Sequence, residues 1–577
     1  MAEWPIDDAT SKVFPLYSRA NVGEIFPDPI SPLNASVGFQ HCLEPGWRDA
    51  FVACGVWDAD LYVENVAMNI LPAFGSYLYI NMSLMRLFGV RVPGMSAEAV
   101  DLQYFGDMPG IPSYESERRD FDENAEYEAK AGQWLGEQVL GATDLAAYDV
   151  DRAEVEQIRA DRPDLTGLSD AELFTRMRSF ETVLRRLFKH HIEASLKSGV
   201  GLGAMAQLTE AIGRPELALT LVAGIGNIDS ALPSIRMWNL GRLAQKPQIA
   251  ALFDAGVEGL YERLSGSEDS DVVAFAAELD DFLADWDFRG PAEWEIRATT
   301  WGVNPALALG TIDRMRLVDE SEAPEAKTAE RAAQREAAST DVRAALAADA
   351  EASAQFEAVL NAAALWMRGR ERGRTTAAML MHEIRLAALE LGKRGVESGS
   401  LAEVKHIFML FADEIDSYLA DPSALTSVLA DREKTYLHLF DRQPPFVVDG
   451  TAPPVEEWPL RSDKRSTVLG KGESIAGVSG CTGIARGRAR VLTTPDDPSA
   501  LDAGDILVAP ITDPSWTPLF VTAAAVVVDV GAPFSHAAIV SRELGIPCIV
   551  SATDATVRIP DGAEIEVDGT TGTVTVL

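Results

Sequence analysis

The sequence predicts a multidomain protein in which a large, mostly α-helical domain precedes a small α/β domain. Three observations carry this. The 577 residues exceed the size at which a single hydrophobic core keeps growing. Helical periodicity dominates the chain up to about residue 445. Beyond a stretch rich in proline and glycine, the pattern changes to short apolar segments separated by turn signals.

The helical pattern is clearest over Leu173–Ser195, over Ser270–Trp286 and along an Ala/Glu/Arg-rich run from Ala323 to Arg394. Within that run, Ala329–Ala354 interleaves charges with strong helix formers, which predicts a solvated face. Residues 1–445 are assigned to this helical domain. Pro444, Pro445, Pro453, Pro454 and Pro459, with Gly470 and Gly472, mark residues 446–474 as a linker. Residues 475–577 form the α/β domain, with strands expected at Ala489–Leu492, Ile506–Ala509, Ala525–Val530, Cys548–Ser551, Glu564–Asp568 and Thr573–Leu577.

Composition narrows the function. A formal charge of −38 repels nucleic-acid backbones, so no nucleic-acid partner is expected. The sequence has no apolar stretch of about eighteen residues able to span a bilayer and no secretory leader pattern, so no membrane association is expected and the predicted location is cytoplasmic. Cys42, Cys54, Cys481 and Cys548 form no CxxC pair, which predicts free thiols and no metal site. Gly199-Val-Gly-Leu-Gly203 follows a helical run instead of a strand, so it is not read as a dinucleotide loop. His190 and His191 point about 100° apart on a helix. His382-Glu383 lacks the second histidine of a zinc-protease motif, Leu386 standing in its place.

The informative segment runs from Ala525 to Pro547. An apolar strand ends in the turn Gly531-Ala-Pro-Phe534, and a helix then starts at Ser535, whose side chain can cap it and leave His536 in the first turn. Unpaired backbone N–H groups and the positive end of the dipole suit an anion there. The same field lowers imidazole basicity and keeps a lone pair for attack on phosphorus. Ala537 and Ala538 leave room beside the ring, and Gly545 with Pro547 stops the helix.

Gly-Ala-Pro-Phe-Ser-His-Ala-Ala-Ile-Val-Ser-Arg-Glu-Leu-Gly-Ile-Pro547 resembles the phosphohistidine signature of the swivelling domain in the PEP-utilising dikinase family, which includes phosphoenolpyruvate synthase, pyruvate phosphate dikinase and rifampicin phosphotransferase. The likeness extends through Gly477–Leu492 and Asp505–Phe520. Ala532 replaces the usual second glycine of the turn, and Phe534 precedes the serine. The helical part is similar to the acceptor-binding domain of rifampicin-phosphotransferase-like enzymes. The matching segments are Tyr17–Glu24 leading to Pro29–Leu33, Tyr79–Asn81, Gly226–Ala231 leading to Trp238, Arg289–Glu293 and Arg370–Arg374.

The resemblance implies a dikinase-type phosphotransferase in which His536 carries the phosphoryl group and Ser535 supports it. ATP with Mg²⁺ is the expected donor, bound on a separate ATP-grasp subunit because no such domain is recognised in this chain. The acceptor is expected to be a small hydroxylated organic compound of the aromatic or phenolic class, the products being AMP and phosphate. Arg19, Arg289, Glu293, Arg372, Arg374 and His382 are the candidate acceptor-binding residues, the arginines to neutralise moving charge and a carboxylate or histidine to act as base. Phe74–Tyr79 and Met379–Met381 could line an apolar pocket. The alternative is a phosphohistidine carrier or regulatory protein with no small-molecule acceptor.

Overall fold

The structure is a computed structural model that describes residues 4–58, 70–105, 110–115, 122, 124–463, 467–495, 500–532 and 535–577. Its helices follow from caps and apolar spacing. In Ser270–Trp286, the Asp269 carboxylate accepts from Asp271 N at 2.9 Å and Val272 N at 3.3 Å. Val272, Phe275, Ala276, Leu279, Phe282 and Leu283 then recur on the buried face. The run expected from Ala323 to Arg394 is two helices, Pro324–Leu346 and Ala350–Ser398. The break falls at Asp349, whose carboxylate accepts from Glu351 N and Ala352 N and so starts a new helix. Gly199–Gly203 lies inside the helix Glu181–Ala211.

The chain divides into two units. The first comprises Met1–Gly203, Glu293–Ala298 and Leu365–Lys464. Besides its helices it holds a three-stranded antiparallel sheet, with β1 (Leu16–Ser18) between β4 (Ile80–Asn81) and β5 (Val447–Asp449), and a hairpin of β2 (Ala73–Phe74) and β3 (Tyr77–Leu78). Tyr17, Phe74, Tyr77, Tyr79, Leu439, Val448 and Trp458 form one core cluster. The aromatic stretch Phe74–Tyr79 therefore packs as core. Much of the segment read as a linker is also folded here: β5 pairs with β1, and the Trp458 indole donates to Pro453 O at 2.9 Å. Proline content marks irregular backbone, and such backbone can be packed as readily as extended.

The second unit comprises Ala204–Ala292, Thr299–Ala364 and Arg465–Leu577. Its eight-stranded sheet contains β6 (Ser474–Ala476), β7 (Val478–Cys481), β8 (Ile484–Val491), β9 (Ile506–Ala509), β10 (Ala525–Val528), β11 (Cys548–Val550), β12 (Glu564–Asp568) and β13 (Thr573–Val576). The order is β6-β13-β12-β8-β9-β10-β11-β7, parallel from β8 through β11 and antiparallel elsewhere. Side chains alternate across it. Ile506, Val508, Ala525 and Val527 join Ile565, Val567 and Val574 on one face. Leu507, Ala509, Val526 and Val528 face the other way, into a core shared with Ala537, Ala538 and Val540 and with Met237, Trp238, Phe282, Trp301 and Met315 of the helices. Part of the region expected to be one helical domain thus shares a core with the α/β sheet.

Candidate active site around His536

The strand β10 is buried along its length, and its chain continues as Asp529 N donates to Ala509 O and Val530 N to Pro510 O. The turn that follows is tied down by Ser551 Oγ, which donates to Gly531 O. Among the described residues, the non-glycine positions with positive φ include Ser551 and Asp554 but not Ala532, so alanine there carries no left-handed strain. Phe534 lies outside the described residues. Ser535 has φ −66° and ψ 162°, and its hydroxyl accepts from Ala538 N at 3.5 Å, a long capping bond that opens the helix His536–Leu544. Gly545 closes that helix in the left-handed conformation at φ 67°.

His536 is 2% exposed. Thr512 Oγ1 lies 3.2 Å from its Nδ1 and Thr517 Oγ1 lies 3.0 Å from its Nε2, while the Phe520 ring is tilted against it at 5.9 Å. A threonine hydroxyl both donates and accepts, so this pair satisfies either neutral tautomer. The threonines are placed by Asp513. Its Oδ1 accepts from Ser515 N at 2.9 Å and from Ser515 Oγ, turning the chain through Pro514–Trp516 into the helix Thr517–Thr522. Its Oδ2 accepts from Ala292 N at 2.9 Å. Arg542 of the same motif is buried and directs Nε to Gly480 O at 2.8 Å, and burial pushes its guanidinium pKa down.

Of the other candidates, Arg289 belongs to the same unit as His536. It is buried, with its guanidinium 5.1 Å from the Phe288 ring centre and 5.7 Å from that of Trp286. Arg19, Glu293, Arg372, Arg374 and His382 belong to the first unit. Arg19 is buried and donates to Leu78 O at 2.9 Å, Phe26 O at 2.7 Å and Pro27 O at 3.1 Å. Arg372 pairs with Asp149 at a partly exposed position. His382 and Glu293 are brought together by Arg385, a residue the sequence reading did not single out. Its Nη1 lies 3.0 Å from His382 Nδ1, and its Nη2 donates to Glu293 O at 2.7 Å and to Glu295 O at 3.0 Å.

Arg374 is buried near His191, whose pKa is lowered to about 3 by burial first and then by Arg370 and Arg374. The His191 ring packs edge-on against Trp294 at 5.2 Å, and its Nδ1 lies 3.2 Å from Arg370 O. In the sequence, adjacency to His190 speaks only against a shared metal and gives no sign of this burial. Met379 and Met381 are buried, with Met381 against Gly38. The four cysteines are buried free thiols, and burial pushes Cys42 and Cys548 up to about 12. Among the described residues, no group of three or more His, Cys, Asp and Glu side chains is placed to hold a metal, and no helix is long and apolar enough to cross a membrane.

Residues 190–371 match the family model of the rifampicin phosphotransferase fourth domain, and residues 501–572 match that of the PEP-utilising enzyme mobile domain. An uncharacterized protein of Mycobacterium tuberculosis is 28% identical over 98% of this chain and 62% of its own length. The rifampicin phosphotransferase of Streptomyces sviceus is 34% identical over 33% of this chain and 21% of its own length, and that of Bacillus cereus is 33% identical over the same shares. The chain therefore spans less than two thirds of the curated relatives it matches. His536, Thr512, Thr517 and Glu543 all fall within the mobile-domain match, and Arg289 within the other. The two matches relate this chain to the PEP-utilising phosphotransferases and, among them, to the rifampicin phosphotransferases.

Proposed function

We propose that His536 takes a phosphoryl group from ATP and passes it to the hydroxyl of a small organic compound. The observation that carries the proposal is a buried imidazole in the first turn of a capped helix, with a threonine hydroxyl at each ring nitrogen, inside the segment that matches the mobile domain. A neutral imidazole has one lone pair for phosphorus, and its other nitrogen keeps its proton against a threonine oxygen. Once a nitrogen is phosphorylated, the nearby hydroxyl can turn to donate to a phosphoryl oxygen, and the positive end of the helix dipole favours the added negative charge.

In the first half-reaction the β-phosphoryl group of ATP goes to His536 and the γ-phosphoryl group goes to water, releasing AMP and phosphate. In the second, the acceptor hydroxyl loses a proton and attacks phosphorus as the bond to nitrogen breaks. A covalent carrier divides one transfer between distant places into two in-line displacements. Support for the donor comes from the likeness to rifampicin phosphotransferases; ATP and Mg²⁺ are assigned to an ATP-grasp protein that works with this chain in trans. A hydroxylated aromatic is the proposed acceptor, because a phenol gives up its proton with modest help from a base. Arg289, Glu293, Arg374 and His382 are kept as proposed acceptor-side groups, each of them buried within its own unit. Arg19, with three backbone carbonyls to satisfy, fits a supporting role better.

The test is intact-mass and phosphohistidine analysis after incubation with ATP and Mg²⁺, with and without an added ATP-grasp protein, using His536→Ala as the control. Acid-labile, alkali-stable phosphate on His536 that appears with the partner is the expected result. Absence of label with every donor arrangement, on a folded protein, overturns the reading.

A further inference from the structure

The end of the His536 helix is held by groups that the phosphotransfer scheme does not use. Glu543, 3% exposed, accepts from Ile225 N at 3.0 Å and from Gly226 N at 3.1 Å through its two carboxylate oxygens. Gly224, Gly226 and Asn227 have φ of 58°, 70° and 56°. Left-handed residues of this kind let successive backbone N–H groups converge on one anion, and here the anion is a side chain from the phosphohistidine domain. The contact joins the two segments that match different family models.

The helix Pro324–Leu346 braces both sides of this contact. Thr328 Oγ1 donates to Glu543 O at 3.3 Å, and Arg331 Nη2 donates to Gly545 O at 2.8 Å. Arg335 Nε donates to Leu221 O at 2.9 Å, and a Cβ on Gly224 would lie 2.4 Å from Ala332 N. Positions 328, 331 and 335 share one helical face, so a single stripe grips the end of the His536 helix and the turn that receives Glu543. Arg331 and Arg335 of that stripe fall in the run Ala329–Ala354, whose charges predict a solvated face. At the other end of the domain, Asp513 beside Thr512 takes the Ala292 N–H, with Ala292 at φ 49°. These bonds bracket His536, which lies about two helical turns from Glu543.

We propose that Glu543 is a positioning residue: its carboxylate latches the phosphohistidine domain onto the Gly224–Asn227 turn, and the latch sets how much of the time His536 is docked and shielded. As a device of phosphoryl delivery it rests on the function proposed above, but the docking it describes can be measured without any phosphoryl chemistry. Docking should open about tenfold more often in Glu543→Ala, corresponding to ~1.4 kcal/mol, a modest value for two hydrogen bonds to a charged group.

The experiment compares the full chain with Glu543→Ala, Glu543→Gln and Arg331→Ala. It reads amide hydrogen exchange across 221–228 and the rate at which diethylpyrocarbonate acylates His536, referred to the exposed His438. Faster exchange in the turn together with about tenfold faster acylation of His536 in Glu543→Ala, and smaller increases in the other two, is the expected result. Faster exchange with His536 unchanged reduces Glu543 to a local anchor and overturns the proposal, as does no change in either. Should Glu543→Ala fail to fold, Arg331→Ala gives the same readings from the other side of the latch. Because acylation needs neither donor nor acceptor, a latch that fails this test is distinguishable from a His536 that never becomes phosphorylated.

Discussion

Thr517 Oγ1 lies 3.0 Å from Nε2 of His536, and Thr512 Oγ1 lies 3.2 Å from Nδ1, so the imidazole is held between two hydroxyls of its own domain. Neither threonine carries charge, and each hydroxyl can turn to donate to or accept from the ring. A carboxylate in either place would favour the imidazolium and remove the lone pair needed for attack.

Thr517→Val keeps the shape of the side chain and removes the hydroxyl. The expected result is phosphorylation of His536 slowed about 10- to 100-fold, from the loss of one hydrogen bond that strengthens as charge builds on the phosphoryl oxygens. Thr512→Val should slow it less if Nε2 is the nitrogen that is phosphorylated, and more if Nδ1 is. Comparing the two rates, with the site of modification read by NMR, identifies the nucleophilic nitrogen; equal rates for both variants and the unaltered protein would remove the threonines from the chemistry.

Ser535→Ala should leave the fold intact and cost about 0.5–1 kcal/mol, the low end for a lost helix cap, because its bond to Ala538 N is long at 3.5 Å. A thermal unfolding scan gives the cost. A much larger loss would mean that Ser535 holds the turn through more than its cap.

The His536 motif was legible because its signals are local: an apolar strand, a capping serine one residue before the histidine, and a glycine that ends the helix. What completes the site comes from elsewhere in the chain. Thr512 and Thr517 lay inside a stretch that resembled the family, yet only the parallel pairing of β9 with β10 sets that stretch beside the ring. Glu543 meets Gly226 across 317 residues, and no period or spacing announces such a contact. The helices were legible one by one, but their apolar faces do not say which partner each will cover. Hence the sequence reading made one domain of residues 1–445, while Met237, Trp238 and Phe282 share a core with the α/β sheet. Arg385 was missed for a related reason, since it serves carbonyls at Glu293 and Glu295 that only the fold brings near.

Arg385→Met should be strongly destabilising although it preserves volume. Arg385 is fully buried, and its removal leaves the carbonyls of Glu293 and Glu295 and the His382 ring without this donor. Uncompensated buried acceptors cost about 1–3 kcal/mol each. A loss of several degrees or more in Tm is expected, and Arg385→Lys should recover only part of it, because an ammonium lacks the planar fork that reaches all three acceptors. Unchanged Tm in Arg385→Met would show that these acceptors find other donors.

His191 supplies a pH dependence whose sign is fixed by its surroundings. Burial, then Arg370 and Arg374, lower its pKa from 6.5 to about 3, so the folded protein keeps the ring neutral where an unfolded chain would protonate it. Between about pH 6.5 and pH 3 the unfolded state binds the extra proton, and stability falls as pH falls across that window. The contribution of this one group is at most about 1.4 kcal/mol per pH unit. His191→Gln removes the titration, and the difference in unfolding midpoint between it and the unaltered protein should shrink from pH 7 to pH 5 because only the latter loses this contribution. Other groups titrate in both proteins and cancel in the difference. A constant difference over that range would mean that His191 takes up a proton in the folded state, which would require a ring less buried, and then Arg370 and Arg374 farther from it, than the lowered pKa implies.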